Sequence, residues 1–196
     1  MGSESVRSSR SPEESAVWLT DVAVKRPISC NFTKKGIVRP IHGLVLHIQE
    51  GSEKGTYSWF NNKEAKASSH FGNPKAGKLE QFVDTDDMAW TQKAGNPYWL
   101  SVENEGFHGN RLNDNQVNNI VRLLLALNKL EGISLTLADS PSGYGLGYHS
   151  MGGKAWGHPQ CPGKPIIEQR QTILSLASSS LKGQMGDFPI TTSNMA

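Results

Sequence analysis

Between Gly147 and Gly163 the chain reads Gly-Tyr-His-Ser-Met-Gly-Gly-Lys-Ala-Trp-Gly-His-Pro-Gln-Cys-Pro-Gly, and its two histidines and one cysteine are the residues best suited to chemistry. His149, His158 and Cys161 offer nitrogen and sulfur donors of the kind that hold zinc. Glycines punctuate the stretch too densely for a regular helix, so the donors are expected to sit on a folded loop. His149 and Cys161 are twelve positions apart (161 minus 149), a spacing that a doubled-back loop satisfies, and Pro162-Gly163 supplies a turn behind the thiol. A catalytic zinc takes three protein ligands and keeps a position open for water. The best remote donor is His47, which stands at the end of the apolar run Gly43-Leu-Val-Leu-His-Ile48, where a buried strand would fix its ring.

Each of these residues has a plainer alternative. His47 reads equally as a strand-end histidine satisfied by a carbonyl, and Cys161 as an apolar filler, although the prolines around it argue against a core strand. His158 has three readings: third ligand in place of Cys161, a cation steadying a tetrahedral oxyanion, or a surface imidazole. Glu103 and Glu105, in Leu-Ser-Val-Glu-Asn-Glu-Gly106, project to one face if the strand alternation holds. A carboxylate there is suited to take the proton of a zinc-activated water, the alternative being two solvated acids at a strand end. His42, His70 and His108 have no partner visible in the sequence and read as structural. Cys30 reads as an inert thiol.

The elements that must position these residues follow from periodicity and turn chemistry. Gly43–Ile48 is apolar on both faces and so belongs inside a sheet. Thr56–Asn61 has the cap residue and aromatic spacing of a short helix. Ala67–Phe71 and Leu79–Val83, around Gly72-Asn-Pro-Lys-Ala-Gly77, form a hairpin-like pair, and Met88–Trp90 and Tyr98–Glu103 are short strands. In Asp114–Leu130 the residues Val117, Ile120, Val121, Leu124 and Leu127 recur at helical steps. Asn113 and Gln116 resemble a capping box, and Gly132 stops the helix. Ile133–Leu137 is expected as a strand and 139–147 as a loop. Pro165 opens a last helix that buries Ile166, Ile167, Ile173, Leu174 and Ala177. Residues 1–15 read as a flexible tail, 16–178 as one α/β domain with a central mixed sheet flanked by helices, and 179–196 as a polar, irregular tail.

The length of 196 residues suits a single core. A net charge of +2 with no dense Lys/Arg stripe argues against a nucleic-acid partner. No apolar stretch approaches the roughly 20 residues of a membrane span, and no signal peptide is recognisable. Two cysteines make no disulfide framework, which suits synthesis in a reducing cytoplasm. A monomer is expected.

Together Leu-Val-Leu-His47, Thr-Tyr-Ser-Trp-Phe-Asn-Asn62, Ser-Ser-His-Phe71, Leu-Ser-Val-Glu-Asn-Glu-Gly106, Gly-Tyr-His149 and Cys-Pro-Gly163 resemble, in order and spacing, the zinc-dependent N-acetylmuramoyl-L-alanine amidases of the type-2 amidase and peptidoglycan-recognition-protein superfamily. The likeness runs from about Gly43 to Ala177 and is greatest to the catalytic domains of bacteriophage endolysins. It implies Zn²⁺ on His47, His149 and Cys161, Glu103 as the base, bacterial peptidoglycan as substrate, and cleavage between N-acetylmuramic acid and L-alanine of the stem peptide. Made in the host cytoplasm, such a protein acts on the wall. Two positions depart from the pattern: many relatives carry lysine or threonine where this chain has Pro159, and some carry tyrosine where it has Ser69. His158 is the residue expected to take over the oxyanion role. The competing reading is a non-catalytic peptidoglycan-binding module of the same fold, and the presence of Cys161 favours the enzyme.

Overall fold

The computed structural model describes residues 17–186, so the tail expected over 1–15 and the last ten residues lie outside the described part. Eight strands and four helices follow in chain order: β1 (Ala23–Lys25), β2 (Phe32–Thr33), β3 (Gly43–Ile48), α1 (Glu53–Phe60), β4 (Phe71–Asn73), β5 (Leu79–Gln81), β6 (Met88–Ala89), β7 (Trp99–Asn104), α2 (Asp114–Glu131), β8 (Gly145–Tyr148), α3 (Gly153–Trp156) and α4 (Lys164–Gly186). Six strands form one sheet in the order β1-β5-β4-β7-β3-β8, and β2 and β6 form a separate ribbon. The β4–β5 pair is antiparallel and the other pairs of the large sheet are parallel, so the sheet is mixed.

Strand alternation divides the sheet into two working faces. Leu44 and Leu46 of β3, with Leu100 and Val102 of β7, project into the main core against Ile120, Leu124 and Leu127 of α2 and Ile166, Ile173 and Ala177 of α4. Val45 and Trp99 project to the opposite face, where they pack with Ala138 and Trp156. His47 and Glu103 fall on this second face by the same period of two. The apolar character of β3 on both sides is thus explained, since each of its six residues is buried.

The expected cap of α2 is present: the Asn113 side chain accepts from Gln116 N–H, Gln116 reaches back to Asn113 N–H, and Gly132 ends the helix in the left-handed region. Several boundaries differ from expectation. Helix α1 begins at Glu53 with Ser52 as its cap, not at Thr56, whose hydroxyl instead donates to the Ser52 carbonyl inside the first turn. Two short strands, β1 and β2, precede β3. Helix α4 continues through Gly186, past Ser178 where an irregular tail was expected, and Ile167 is only half-buried.

The larger correction concerns the far edge of the sheet. Ile133–Leu137 is not a strand; only Leu137 makes a bridge, to Leu146. Thr136 Oγ1 donates to the Tyr144 carbonyl and is hydrogen-bonded to Ser134 Oγ, local bonds that compete with a ladder. The edge strand is β8, from within the segment expected to be loop. It approaches β3 so closely that a Cβ on Gly43 would lie 1.8 Å from the Gly145 carbonyl oxygen, so glycine is required there. Buried Arg170 of α4 clamps this edge, donating to the carbonyls of Ala138 and Leu146 and pairing with Asp139. Among the described residues no helix is long and apolar enough to cross a membrane.

Candidate metal centre

The centre is built by strand register at the carboxyl ends of parallel strands, where open α/β sheets place their ligands. β3 and β7 pair with His47 opposite Glu103. β3 and β8 pair with Leu46 opposite Tyr148, and one further step along both strands brings His149 beside His47. Their rings are 4.4 Å apart between centroids. His149 opens a short 3-10 turn over His149–Gly152 that leads into α3, so the segment expected to lack helix carries two short turns of it. Cys161 arrives from the loop ahead of α4, and its carbonyl accepts from Ser150 N–H at 2.8 Å, which ties the thiol's backbone to that turn.

The donor atoms of His47, His149 and Cys161 lie within 4.8 Å of one another, with Cys161 Sγ 4.0 Å from His47 Nδ1. Both imidazoles are almost fully buried. Their outward nitrogens are already committed. Gln92 Nε2 donates to the Trp99 carbonyl, so its Oε1 faces His47 Nε2 at 3.1 Å and must accept a proton from it. His149 Nε2 donates to the Trp156 carbonyl at 3.1 Å. In each ring this fixes the tautomer and leaves Nδ1 as a free lone pair on the inner side, the arrangement that metal-binding histidines show.

Charge balance points the same way. Burial, and then the neighbouring His149, pushes His47 well below the usual imidazole range, and burial lowers His149 to about 4, so both rings are neutral and able to ligate. Burial, with Glu103 adding to it, pushes the Cys161 thiol far up. A buried thiol flanked by an acid is a poor nucleophile by itself, but a divalent cation would reverse that cost by holding the thiolate. Two neutral imidazoles and one thiolate therefore fit a single borderline-soft metal ion.

Glu103 stands next to this cluster, with Oε1 3.9 Å from His47 Nδ1 and a side chain only 14% exposed. Burial first, and then the charges of Glu53 and Glu50, raise it to about 8. Glu105 goes elsewhere: the strand ends at Asn104, and its carboxylate accepts from Lys75 N–H at 2.7 Å. Of the two acids expected on one face, only Glu103 reaches the centre.

His158 is exposed, with φ +44°, and its ring lies 5.5 Å from that of His149. It is not among the three donors that converge. It lines, with Pro159, a groove of about 960 Å³ whose floor holds His47, His149, Cys161 and Glu103. The three histidines set aside divide. His70 is buried and bonded to Ser101 and the Asp87 carbonyl, and His42 packs among Tyr98, Trp99 and Tyr144. His108 instead lines the groove. Ser69 is buried, and its hydroxyl bonds that of Ser101.

Two residues of the site escape a reading of the sequence. Gln92 has no local signal, because its partner His47 is 45 positions away. Trp59 stands 53% exposed on the groove wall while its neighbour Phe60 is buried; adjacent aromatics on one short helix cannot both face the core, and that was the available hint. For Gln92 we expect that Gln92→Met, which removes the acceptor but keeps the volume, weakens metal affinity about 10- to 100-fold. Competition with a chromogenic chelator measures this directly.

Comparison with known proteins follows the same line. Residues 38–164 match the family model described as N-acetylmuramoyl-L-alanine amidase. N-acetylmuramoyl-L-alanine amidase A of Achromobacter lyticus is 31% identical over 104 residues, covering 52% of this chain and 59% of that protein. The chain thus spans less than two thirds of that curated relative. Among solved structures, the Staphylococcus aureus hydrolase AmiA in complex with its ligand matches with a TM-score of 0.64 at 17% identity, covering 84% of this chain and 85% of that one. A selenomethionine derivative of AmpD matches with a TM-score of 0.62 at 16% identity, covering 80% and 96%. At these identities the structural likeness establishes the α/β fold.

Proposed function

We propose that this chain, which belongs to the N-acetylmuramoyl-L-alanine amidase family, hydrolyses the amide between the lactyl group of N-acetylmuramic acid and the L-alanine of the stem peptide in bacterial peptidoglycan. The observation that carries the proposal is the convergence of His47, His149 and Cys161 beside Glu103 on the floor of an open groove. In this reading the three converging residues are the ligands of Zn²⁺. When bound, zinc supplies Lewis acidity, polarising the scissile carbonyl and acidifying a water.

The chain's own residues carry the remaining work. Glu103 Oε1, on the side of the cluster, takes the proton of the attacking water as the C–O bond forms and returns it to the departing alanine nitrogen as the C–N bond breaks. His158, on the rim above His149, donates to the oxyanion that develops on the carbonyl. Trp59 and the loop at Glu50–Ser52 bound the groove that receives the polymer. We assign this wall-degrading activity to an endolysin made in a bacterial cytoplasm, on the strength of the motif order in the sequence.

Mass spectrometry of digested peptidoglycan tests the proposal. New free L-alanine amino termini on intact stem peptides are expected, and new reducing sugar ends would overturn it. Loss of turbidity of purified walls is expected to stop on adding a chelator; binding without clearance would favour a recognition module. For His158→Ala we expect kcat to fall about 10²-fold, the scale of one oxyanion donor, with metal content unchanged. Full activity in that variant would remove His158 from the mechanism.

A further inference from the structure

The register that places Glu103 beside His47 continues across the sheet: Glu103 pairs with Gly72 of β4, and Gly72 with Glu80 of β5. Partners in such a row project to the same face, so the neighbour of the Glu103 side chain is the missing side chain of Gly72. That gap is filled from another element. A Cβ on Gly72 would lie 2.1 Å from Oε1 of Glu53, the first residue of α1. The sheet thus lacks a side chain where a carboxyl from the helix above rests over Gly72, the register partner of Glu103.

Glu53 is only 8% exposed, and its surroundings are organised. Gln49 Nε2 donates both to Glu53 Oε2 and, at 3.3 Å, to the backbone carbonyl of Glu103. One amide therefore links the two glutamates. What remains is an acceptor on each: Glu53 Oε1 and Glu103 Oε2 are buried and have no hydrogen-bond partner, as is the case for Gln49 Oε1 of the linking amide. Buried acceptors left unpaired are costly, and the charge of Glu53 acts on Glu103; a protonated Glu53 carboxyl would supply the donor that Glu103 Oε2 lacks. Burial, opposed by the Gln49 bond, raises Glu53 to about 7, which supports its holding that proton. The surrounding charges are Glu80, Glu105 and Arg26.

We propose that Glu53, lodged in the gap left by Gly72 and linked through Gln49, is a positioning residue that ties back Glu103 Oε2 so that Oε1 stays aimed at the centre formed by His47, His149 and Cys161. Glu53 touches no ligand and no reacting atom. It acts on the base alone, by removing the rotational freedom that a carboxylate with one loose oxygen would have. A misplacement of about 1 Å in a reacting group costs up to about 10²-fold, which sets the scale of what this anchor protects.

This inference rests on the amidase reading, with Glu103 as base. The test compares Glu53→Met and Glu53→Gln with the wild type on purified peptidoglycan, measuring kcat, KM, zinc content and melting temperature. Met removes the anchor; Gln keeps an acceptor for Gln49 and offers an N–H to Glu103 Oε2. We expect Glu53→Met to lose about tenfold or more in kcat with KM and zinc content unchanged and melting no lower, because an apolar side chain replaces an under-bonded buried acid. Glu53→Gln is expected to recover at least half of the activity. If Glu53→Met does not fold, Glu53→Asp, which withdraws the carboxyl by one methylene, is expected to show the same kcat loss. A wild-type rate in Glu53→Met or Glu53→Asp, or a loss of activity that tracks lost zinc, overturns the proposal. A wild-type protein that releases no L-alanine termini would sink the amidase reading instead.

Discussion

Cys161→Ala is expected to bring the rate of L-alanine release down by on the order of 10³ or more, together with loss of stoichiometric zinc. A Lewis acid contributes several kcal/mol to such a reaction, and each 1.4 kcal/mol is a factor of ten. The substitution deletes the one donor able to carry a negative charge to the ion. His47 and His149 remain, held by Gln92 and the Trp156 carbonyl, but two neutral imidazoles are an incomplete set for a catalytic zinc. Metal analysis after equilibration with zinc, alongside a peptidoglycan release assay, checks both halves. Chelation of the wild type should reproduce the defect and zinc should reverse it; the variant should not respond to zinc. Should Cys161→Ala retain one zinc per chain and a wild-type rate, the ligand set would be wrong.

Glu103→Gln is the second large effect and has the opposite metal signature. A positioned general base is worth about 10² to 10⁴, so kcat should fall by that factor. Zinc content should stay at the wild-type level, because Glu103 Oε1 is 3.9 Å from His47 Nδ1 and outside the three converging donors. The amide is isosteric and neutral, so the walls of the groove are kept and KM should change little. Parallel loss of zinc and rate in Glu103→Gln would mean that the residue supports the ligands rather than the proton transfer. The pair of variants therefore separates metal from base: one loses the ion and the rate, the other only the rate.

The elements were legible in the sequence wherever a local signal matched the final environment. Gly43–Ile48 reads as an inner strand because it is apolar at every turn of the pleat, and it is one. Asn113, Gln116 and Gly132 bracket α2 because caps are written in residues a few positions apart. Ile133–Leu137 misled because β-branched and apolar residues mark strand propensity, while Ser134 and Thr136 satisfied their neighbourhood through side chains and the Arg170 clamp gave the edge to β8. Thr56 misled for a related reason: it is a good cap residue, but Ser52 precedes it and the helix had already begun.

For the site, the donors were legible and their neighbours were not. Histidine, histidine and cysteine advertise a soft ion by residue type alone, whatever their separation along the chain, and the sequence by itself determined that inventory. Only the tertiary structure decided that Glu105 turns away to Lys75, that His158 stays on the rim, and that Gln92 and Glu53 stand behind His47 and Glu103. Each of these depends on register between strands far apart in sequence, and register is chosen by the packing of the whole sheet against α2 and α4. Hydrogen bonds that cross 45 or 54 positions, from His47 to Gln92 and from Gln49 to the Glu103 carbonyl, leave no periodicity for a reader of the linear chain to find.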